Sequence, residues 1–280
     1  MTTAVTLPPS KFADIGGDLR IHYHEVGQGP ALICLHGAGP GATAWSNFQG
    51  NLAALSADHR VFLVDMPQFG KSSKPVVTGP RLTAFTGMIE AFMRAASIDR
   101  ADFIGNSFGG QVSLKAAIDF PERVDRVVII GSTPVALSAI APMPSEGVRL
   151  IANYYRGEGP SVEKLRYLLS TLVYDASNLT DEVLRERYAT SLDPELIKVN
   201  TGPRPEYEDL TPDFARIKAP TLIVWGAEDR AGPIDIGLFM TRAIPDARMH
   251  IFNKCGHWAQ VERAAEFNEL VLAFLKPPSK

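Results

Sequence analysis

One pentapeptide limits the folds open to this chain. Gly105-x-Ser107-x-Gly109 follows an apolar run, Ala101–Gly105, and precedes a helical pattern, Gln111–Phe120, that stops at Pro121. A second apolar run, Val124–Ile130, comes next. A serine on a sharp turn from strand to helix has its hydroxyl pushed out above the sheet. Glycines on either side leave room for the strained backbone and for strand and helix to cross closely. The plainer alternative is a glycine-rich turn in which Ser107 caps the helix. Strand before and helix after favour the nucleophile.

Alternation of the same kind runs through the chain. Lys11–Ala13 and Asp18–Val26 read as strands joined by a turn at Asp14–Gly17, a hairpin at a sheet edge. Ala31–Leu35, Arg60–Asp65 and Ala101–Gly105 are buried strands, with helices predicted over Trp45–Leu55 and Thr83–Ser97. After Val124–Ile130 the rhythm breaks. Residues 133–211 are mostly helical and rich in Pro and Gly, with helices expected at Val162–Val173 and Asp181–Leu192, the second capped by Thr180. The sheet then resumes with Thr221–Trp225, helix Ile234–Ala243, strand Arg248–Phe252 and a closing helix Trp258–Leu275. In that helix Val261, Ala264, Ala265, Leu270, Val271 and Phe274 are expected to share a face. The expectation is an α/β fold with a mostly parallel, doubly wound sheet. Residues 1–132 and 212–280 form its core, and 133–211 form a helical lid over the carboxyl ends of the strands, where ligands of such sheets bind.

A chain of 280 residues with 45% apolar and 21% charged residues can bury a large core. A net charge of -3 without a basic patch argues against nucleic acid. Met1–Pro9 lacks the pattern of a signal peptide, and no apolar stretch is long enough to span a bilayer. Two cysteines, Cys34 and Cys255, fit a reducing cytoplasm. No metal motif is present, and Gly37-x-Gly39-x-Gly41 matches neither nucleotide-binding glycine pattern, so no metal and no cofactor are expected.

A serine hydroxyl needs a base to take its proton, and the base needs a carboxylate to orient it. On this fold the order is Ser, then Asp or Glu, then His. Gly226–Arg230 follows strand Thr221–Trp225, and Cys255–Trp258 follows strand Arg248–Phe252. Ser107, Asp229 and His257 are therefore the candidate triad, with Glu228 the alternative acid. His22, His24, His59 and His250 read as structural or exposed. The amides of Phe108, next to the nucleophile, and Ala38, in the glycine-rich loop after the first buried strand, are the candidate oxyanion donors.

These features together resemble the α/β-hydrolase superfamily over the whole length. His36–Gly37–Ala38–Gly39–Pro40–Gly41–Ala42 with Trp45–Phe48, and Gly105–Asn106–Ser107–Phe108–Gly109–Gly110, more narrowly resemble the meta-cleavage-product hydrolases. Those enzymes cleave carbon–carbon bonds in bacterial aromatic and steroid degradation. His257–Trp258 fits, as does Arg187 in a helix that begins Thr180–Asp181–Glu182. The sequence departs from the group at Gln68, where glycine is usual, and at Ala38, where glycine is common. Ser107 sets it apart from haloalkane dehalogenases, which carry Asp at the elbow.

The resemblance implies a small dienoate substrate bearing a carboxylate, a cofactor-free hydrolase, and a homodimer or larger assembly. It implies contacts to substrate from Gly37, Gly39, Asn47, Asn106, Arg187 and Trp258. Without it, Arg187 reads as a solvated charge on a helix face, Asn47 as a cap and Asn106 as a stabiliser of the elbow. Two rival readings stay open on sequence: a carboxylesterase or lactonase with the same triad, and a non-catalytic receptor on this fold.

Overall fold

The computed structural model describes residues 6–135 and 138–276. Met1–Val5, on which the reading of the N-terminus partly rests, lies outside the described residues, as do 136–137 and 277–280. The strands are β1 (Lys11–Gly16), β2 (Leu19–Val26), β3 (Ala31–Leu35), β4 (Arg60–Val64), β5 (Ala101–Asn106), β6 (Val124–Ile130), β7 (Thr221–Gly226) and β8 (Ala247–Phe252). They form one sheet in the order β1-β2-β4-β3-β5-β6-β7-β8. β2 runs antiparallel to β1 and β4, and all later pairings are parallel. The edge hairpin is present, but its turn lies at Gly17–Asp18, so β1 continues through the expected turn to Gly16.

The interior strands are apolar on both sides because both faces are covered. Along β3, Ile33 and Leu35 join one core and Leu32 and Cys34 the other. The first core is covered by α2 (Arg81–Ala95), α3 (Phe108–Asp119) and α8 (Ile234–Ala243). The second is covered by α1 (Ala44–Leu55) and the C-terminal helices α9 (Ala259–Glu262) and α10 (Ala264–Leu275).

The expected single closing helix is two, broken at Arg263 (φ -126, ψ 40). The break turns the register. Phe267, Val271 and Leu275 face the core, while Val261 and Ala265 are exposed, so the expected apolar face is wrong at its N-terminal end.

Between β6 and β7 lie α4 (Glu146–Asn153), α5 (Val162–Leu172), α6 (Asp181–Ser191) and α7 (Pro194–Thr201). They bury a core of their own around Tyr154, Leu165, Leu169 and Leu184. Thr180 caps α6, its hydroxyl accepting from the Val183 amide. No helix of the described residues is long and apolar enough to cross a membrane.

Two details around the end of β4 bear on the site. Gln68 sits at φ 72, which explains why glycine suits this position; its side chain donates to the Pro75 carbonyl at 2.8 Å, offsetting part of the strain. Asp65 is buried, accepting from the amides of Ala44 (2.9 Å) and Lys71 (3.1 Å) and pairing with His22 Nδ1 (2.8 Å). Burial opposes its charge, yet the hydrogen bond from His22, the His36 charge and the Ala44 amide hold its carboxyl below the ordinary carboxylate range.

A carboxyl lowered on folding contributes stability above its unfolded pKa and loses it as pH falls through the lower, folded value. Asp65→Asn should lower stability at neutral pH by about 2–3 kcal/mol through the charged hydrogen bonds it loses. It should also flatten the fall in stability below about pH 4, near the unfolded carboxyl pKa. Chemical denaturation across pH reads both effects. An acid limb as steep in the variant as in the wild type would refute the assignment.

Candidate active site

The elbow forms where β5 passes into α3. Ser107 sits at φ 52, ψ -116, a conformation that side-chain-bearing residues seldom adopt, and its amide is held by the Ile130 carbonyl at 2.7 Å. The crossing is close. A Cβ on Gly105 would lie 2.4 Å from the Gly109 carbonyl oxygen, and one on Gly109 would lie 2.3 Å from that of Leu35. The alternative reading of Ser107 as a helix cap does not hold, since its side chain makes no capping hydrogen bond.

β7 and β8 end on the same edge as β5, and their loops bring in the other two groups. His257 Nδ1 lies 2.8 Å from Asp229 Oδ2, with both side chains almost fully buried. The second oxygen, Asp229 Oδ1, accepts from the amides of Ala231 (2.7 Å) and Gly232 (2.8 Å). Those two amides fix the carboxylate so that one oxygen is left for the imidazole. With Nδ1–H donating to Asp229, Nε2 keeps a free lone pair. Glu228 is elsewhere: its carboxylate accepts from the amides of Lys254 (3.2 Å) and Cys255 (2.9 Å), holding the loop that leads to His257.

One member of this arrangement is missed by sequence reasoning. Gly131, at φ 55, lies directly after β6, and a Cβ there would come within 2.8 Å of both Asp229 Oδ2 and His257 Nδ1. Its only signal is a glycine at the end of a buried strand. Leu172, at the end of α5, is a second; its carbonyl accepts from the His257 amide at 2.7 Å.

One cavity collects the remaining candidates. Gly37, Ala38 and Gly39 line it from the β3 loop, with Asn47 from α1. Asn106, Ser107, Arg187, His257 and Trp258 line it as well. The amides of Ala38 and Phe108 have no partner among the hydrogen bonds of the described residues, which leaves both available to an oxyanion. Asn106 is wholly buried and donates to the carbonyls of Ile130 (3.2 Å) and His257 (3.3 Å), while its Oδ1 is unpartnered. Asn47 Oδ1 accepts from the Gly37 amide at 3.4 Å, steadying the loop.

Arg187 is not a solvated helix-face charge. It is 4% exposed, its Nε has no hydrogen-bond partner, and its Cζ lies 5.3 Å from the Trp258 ring centroid. Burial pushes its pKa down to about 10, with Tyr155 and Tyr154 the only other influences, so it remains a cation at neutral pH without a carboxylate beside it. Its backbone rests on the β3 loop, where a Cβ on Gly41 would lie 2.0 Å from the Arg187 carbonyl oxygen. The other histidines have structural partners or surroundings: His22 pairs with Asp65, and His24 and His59 are buried. Among the described residues no cluster of three or more His, Cys, Asp or Glu is placed to hold a metal ion.

Comparison with known proteins gives the family. Residues 30–264 match the family described as alpha/beta hydrolase fold. The chain is 41% identical to a 2-hydroxy-6-oxo-6-phenylhexa-2,4-dienoate hydrolase of Comamonas testosteroni, over 95% of this chain and 96% of that one. It is 39% identical to a 2-hydroxy-6-oxononadienedioate/2-hydroxy-6-oxononatrienedioate hydrolase of Burkholderia vietnamiensis, with the same coverage. Among solved structures, a meta-cleavage product hydrolase from Pseudomonas fluorescens superposes with a TM-score of 0.84 at 32% identity, over 94% of this chain and 96% of that one. The chain belongs to the alpha/beta hydrolase fold family, and within it resembles the meta-cleavage-product hydrolases.

Proposed function

We propose that this chain is a serine-dependent hydrolase that cleaves a carbon–carbon bond in a 2-hydroxy-6-oxo-hexa-2,4-dienoate ring-fission product. The observation that carries the reading is Arg187, a buried cation without a counter-ion among the described residues, lining the same cavity as Ser107 and His257. Holding an unpaired charge away from water is costly, and a ligand carboxylate relieves that cost. A neutral ester gives the guanidinium nothing to bind. The relatives named for dienoates support the same substrate class.

In this reading the substrate carboxylate and 2-hydroxyl lie toward Arg187 and Trp258, and the 6-ketone toward Ser107. A proton shift from the dienol first makes the vinylogous 1,5-diketone, so that the bond to be broken has an electron sink. His257 Nε2 then takes the proton of Ser107 Oγ, and the oxygen adds to the ketone carbon. The amides of Ala38 and Phe108 receive the oxyanion. Collapse breaks the carbon–carbon bond, leaving the acyl group as an ester on Ser107 Oγ and a dienolate, whose charge Arg187 stabilises and which takes up the proton held by His257. A water deprotonated by His257 Nε2 then hydrolyses the ester, and the proton returns to Ser107 Oγ. Asp229 holds the imidazole tautomer and balances the imidazolium. Residues 133–211 are the lid that carries Arg187 to the substrate, over a core of 1–132 and 212–280. No cofactor enters this chemistry. The two buried free thiols, Cys34 and Cys255, accord with a cytoplasmic enzyme. A homodimer or larger assembly is part of the same reading.

Ser107→Ala should fold normally and lose turnover of a dienoate by several orders of magnitude, followed by loss of the substrate's visible absorbance. Turnover at the wild-type rate would end the serine reading. Asp229→Asn should cost about four orders of magnitude in kcat, as in serine-protease triads. Glu228→Gln should cost far less; the opposite ranking would make Glu228 the acid.

Arg187→Ala should lower kcat on the dienoate by about a hundredfold or more, in the range seen for loss of an oxyanion donor. A neutral aryl ester should be turned over almost as before. Arg187→Lys should recover only part, because an ammonium lacks the two-pronged fork. Equal losses on both substrates would mean a damaged lid, and no loss on either would refute the role of Arg187. Ester turnover without dienoate cleavage in the wild type would favour the esterase or lactonase alternative.

A further inference from the structure

Arg81 opens α2, and the reaction as described makes no use of it. Its Cζ lies 4.2 Å from the centroid of the Phe108 ring and 5.2 Å from that of Phe85. The two rings meet edge to face at 5.0 Å. Phe108 thus packs against both an aromatic ring and a cation. The Arg81 Nε is buried without a hydrogen-bond partner. Burial is the only influence on its pKa, which falls to about 10, so no carboxylate answers the charge. A desolvated guanidinium without a counter-ion is unfavourable, and the face of an aromatic ring returns part of what is lost.

The end of α2 that carries Arg81 is fixed independently of Phe108. The Arg81 amide donates to the Glu206 carbonyl at 3.2 Å. The amide and hydroxyl of Thr83 donate to the Glu208 carboxylate at 2.9 and 2.6 Å. The backbone that carries the cation is therefore held in place without help from the ring. The identity of the ring gives this contact its consequence. Phe108 follows the proposed nucleophile, and its amide is one of two donors without a partner among the described residues that are read as the oxyanion hole. Ring and amide share one Cα, so whatever fixes the ring limits rotation of the Ser107–Phe108 peptide. Ser107 itself is strained at φ 52, so this peptide has reason to relax if released.

We propose that Arg81 is a positioning residue for the oxyanion hole, aligning the Phe108 amide by gripping the Phe108 ring from outside the cavity. The proposal rests on the reading of Phe108 as an oxyanion donor. An oxyanion donor acts on the transition state far more than on the bound substrate, so misalignment should appear in kcat and spare KM. Every carbonyl substrate uses the hole, so a dienoate and a neutral aryl ester should suffer alike, unlike the response expected at Arg187.

The test is steady-state kinetics of Arg81→Met, Arg81→Gln and Arg81→Lys on both substrates, in the wild-type chain and in Phe108→Leu, with thermal unfolding alongside. Arg81→Met should lower kcat about tenfold on both substrates, a fraction of the loss that follows removal of an oxyanion donor outright. KM should stay within about twofold. Arg81→Lys should restore part of kcat, because an ammonium still faces the ring. In Phe108→Leu, Arg81→Met should cost nothing more, since the ring it acts through is gone. Arg81→Gln decides the matter if Arg81→Met does not fold. Unchanged kcat overturns the proposal, as does a loss confined to the dienoate, a loss that follows melting temperature, or an equal loss in Phe108→Leu. If the wild-type chain does not turn over the dienoate, the function reading fails alone, and the ester still decides the role of Arg81.

Discussion

The close crossing of β5 and α3 is the constraint on which the rest of the site depends. It puts Ser107 into a backbone conformation that costs on the order of 1–3 kcal/mol. The structure holds it there by over-determining it. The Ser107 amide is tied to Ile130, its carbonyl receives the Gly110 and Gln111 amides, and the Leu35 carbonyl fills the space a side chain at 109 would need. β5 lies between β3 and β6, so both the loop bearing Ala38 and the end of β6 at Gly131 flank the serine. A sheet of parallel strands thus brings Ser107, the Ala38 loop and the space for Asp229 and His257 to one edge, as the proposed triad requires. The geometry follows from strand order alone.

Charge is distributed unevenly across that edge. Asp229 and His257 satisfy each other, and two amides complete the carboxylate. Arg187 across the cavity is left incomplete. The contrast separates groups that serve any acyl chemistry from the one group that selects a substrate. Triads of this kind occur on many folds and indicate little about what is cleaved. A buried cation without a partner is a statement about the missing ligand, because the chain has already borne the desolvation that binding would otherwise require.

Much of this was legible in the sequence, for identifiable reasons. The elbow announced itself because its glycines, strand and helix coincide within a few residues. The order of acid and base followed from strand ends, which apolar runs mark well. What could not be read depends on contacts between distant segments. Nothing local distinguishes Asp229 from Glu228; the amides of Ala231 and Gly232 settle one, and those of Lys254 and Cys255 the other. Arg187 sits in a helix with few apolar residues and other charged groups within a turn or so, so its burial was invisible until the helix was seen against Trp258 and the β3 loop. Gly131 is an unremarked residue until the acid–base pair is placed beside it. The break at Arg263 escaped because apolar periodicity continues on both sides of it, merely out of phase.

The inserted helices are joined to the catalytic loops more tightly than a cover over a pocket requires. The Leu172 carbonyl binds the His257 amide, and the Glu262 carboxylate gathers the amides of Tyr174 (2.7 Å) and Gly256 (3.0 Å) into one knot. At the other loop, the Gly147 amide donates to the Arg230 carbonyl and the Ser145 hydroxyl to that of Ala231, directly beside Asp229. The ends of α4 and α5 are thus fastened to the segments that carry the acid and the base, and α6 rests on the loop that carries Ala38. Several of the hydrogen bonds that hold the insertion in place thus end on the loops that carry Asp229 and His257. In the proposed reading substrate selection and catalytic alignment therefore share contacts, since the Leu172 carbonyl ties the insertion to the His257 backbone.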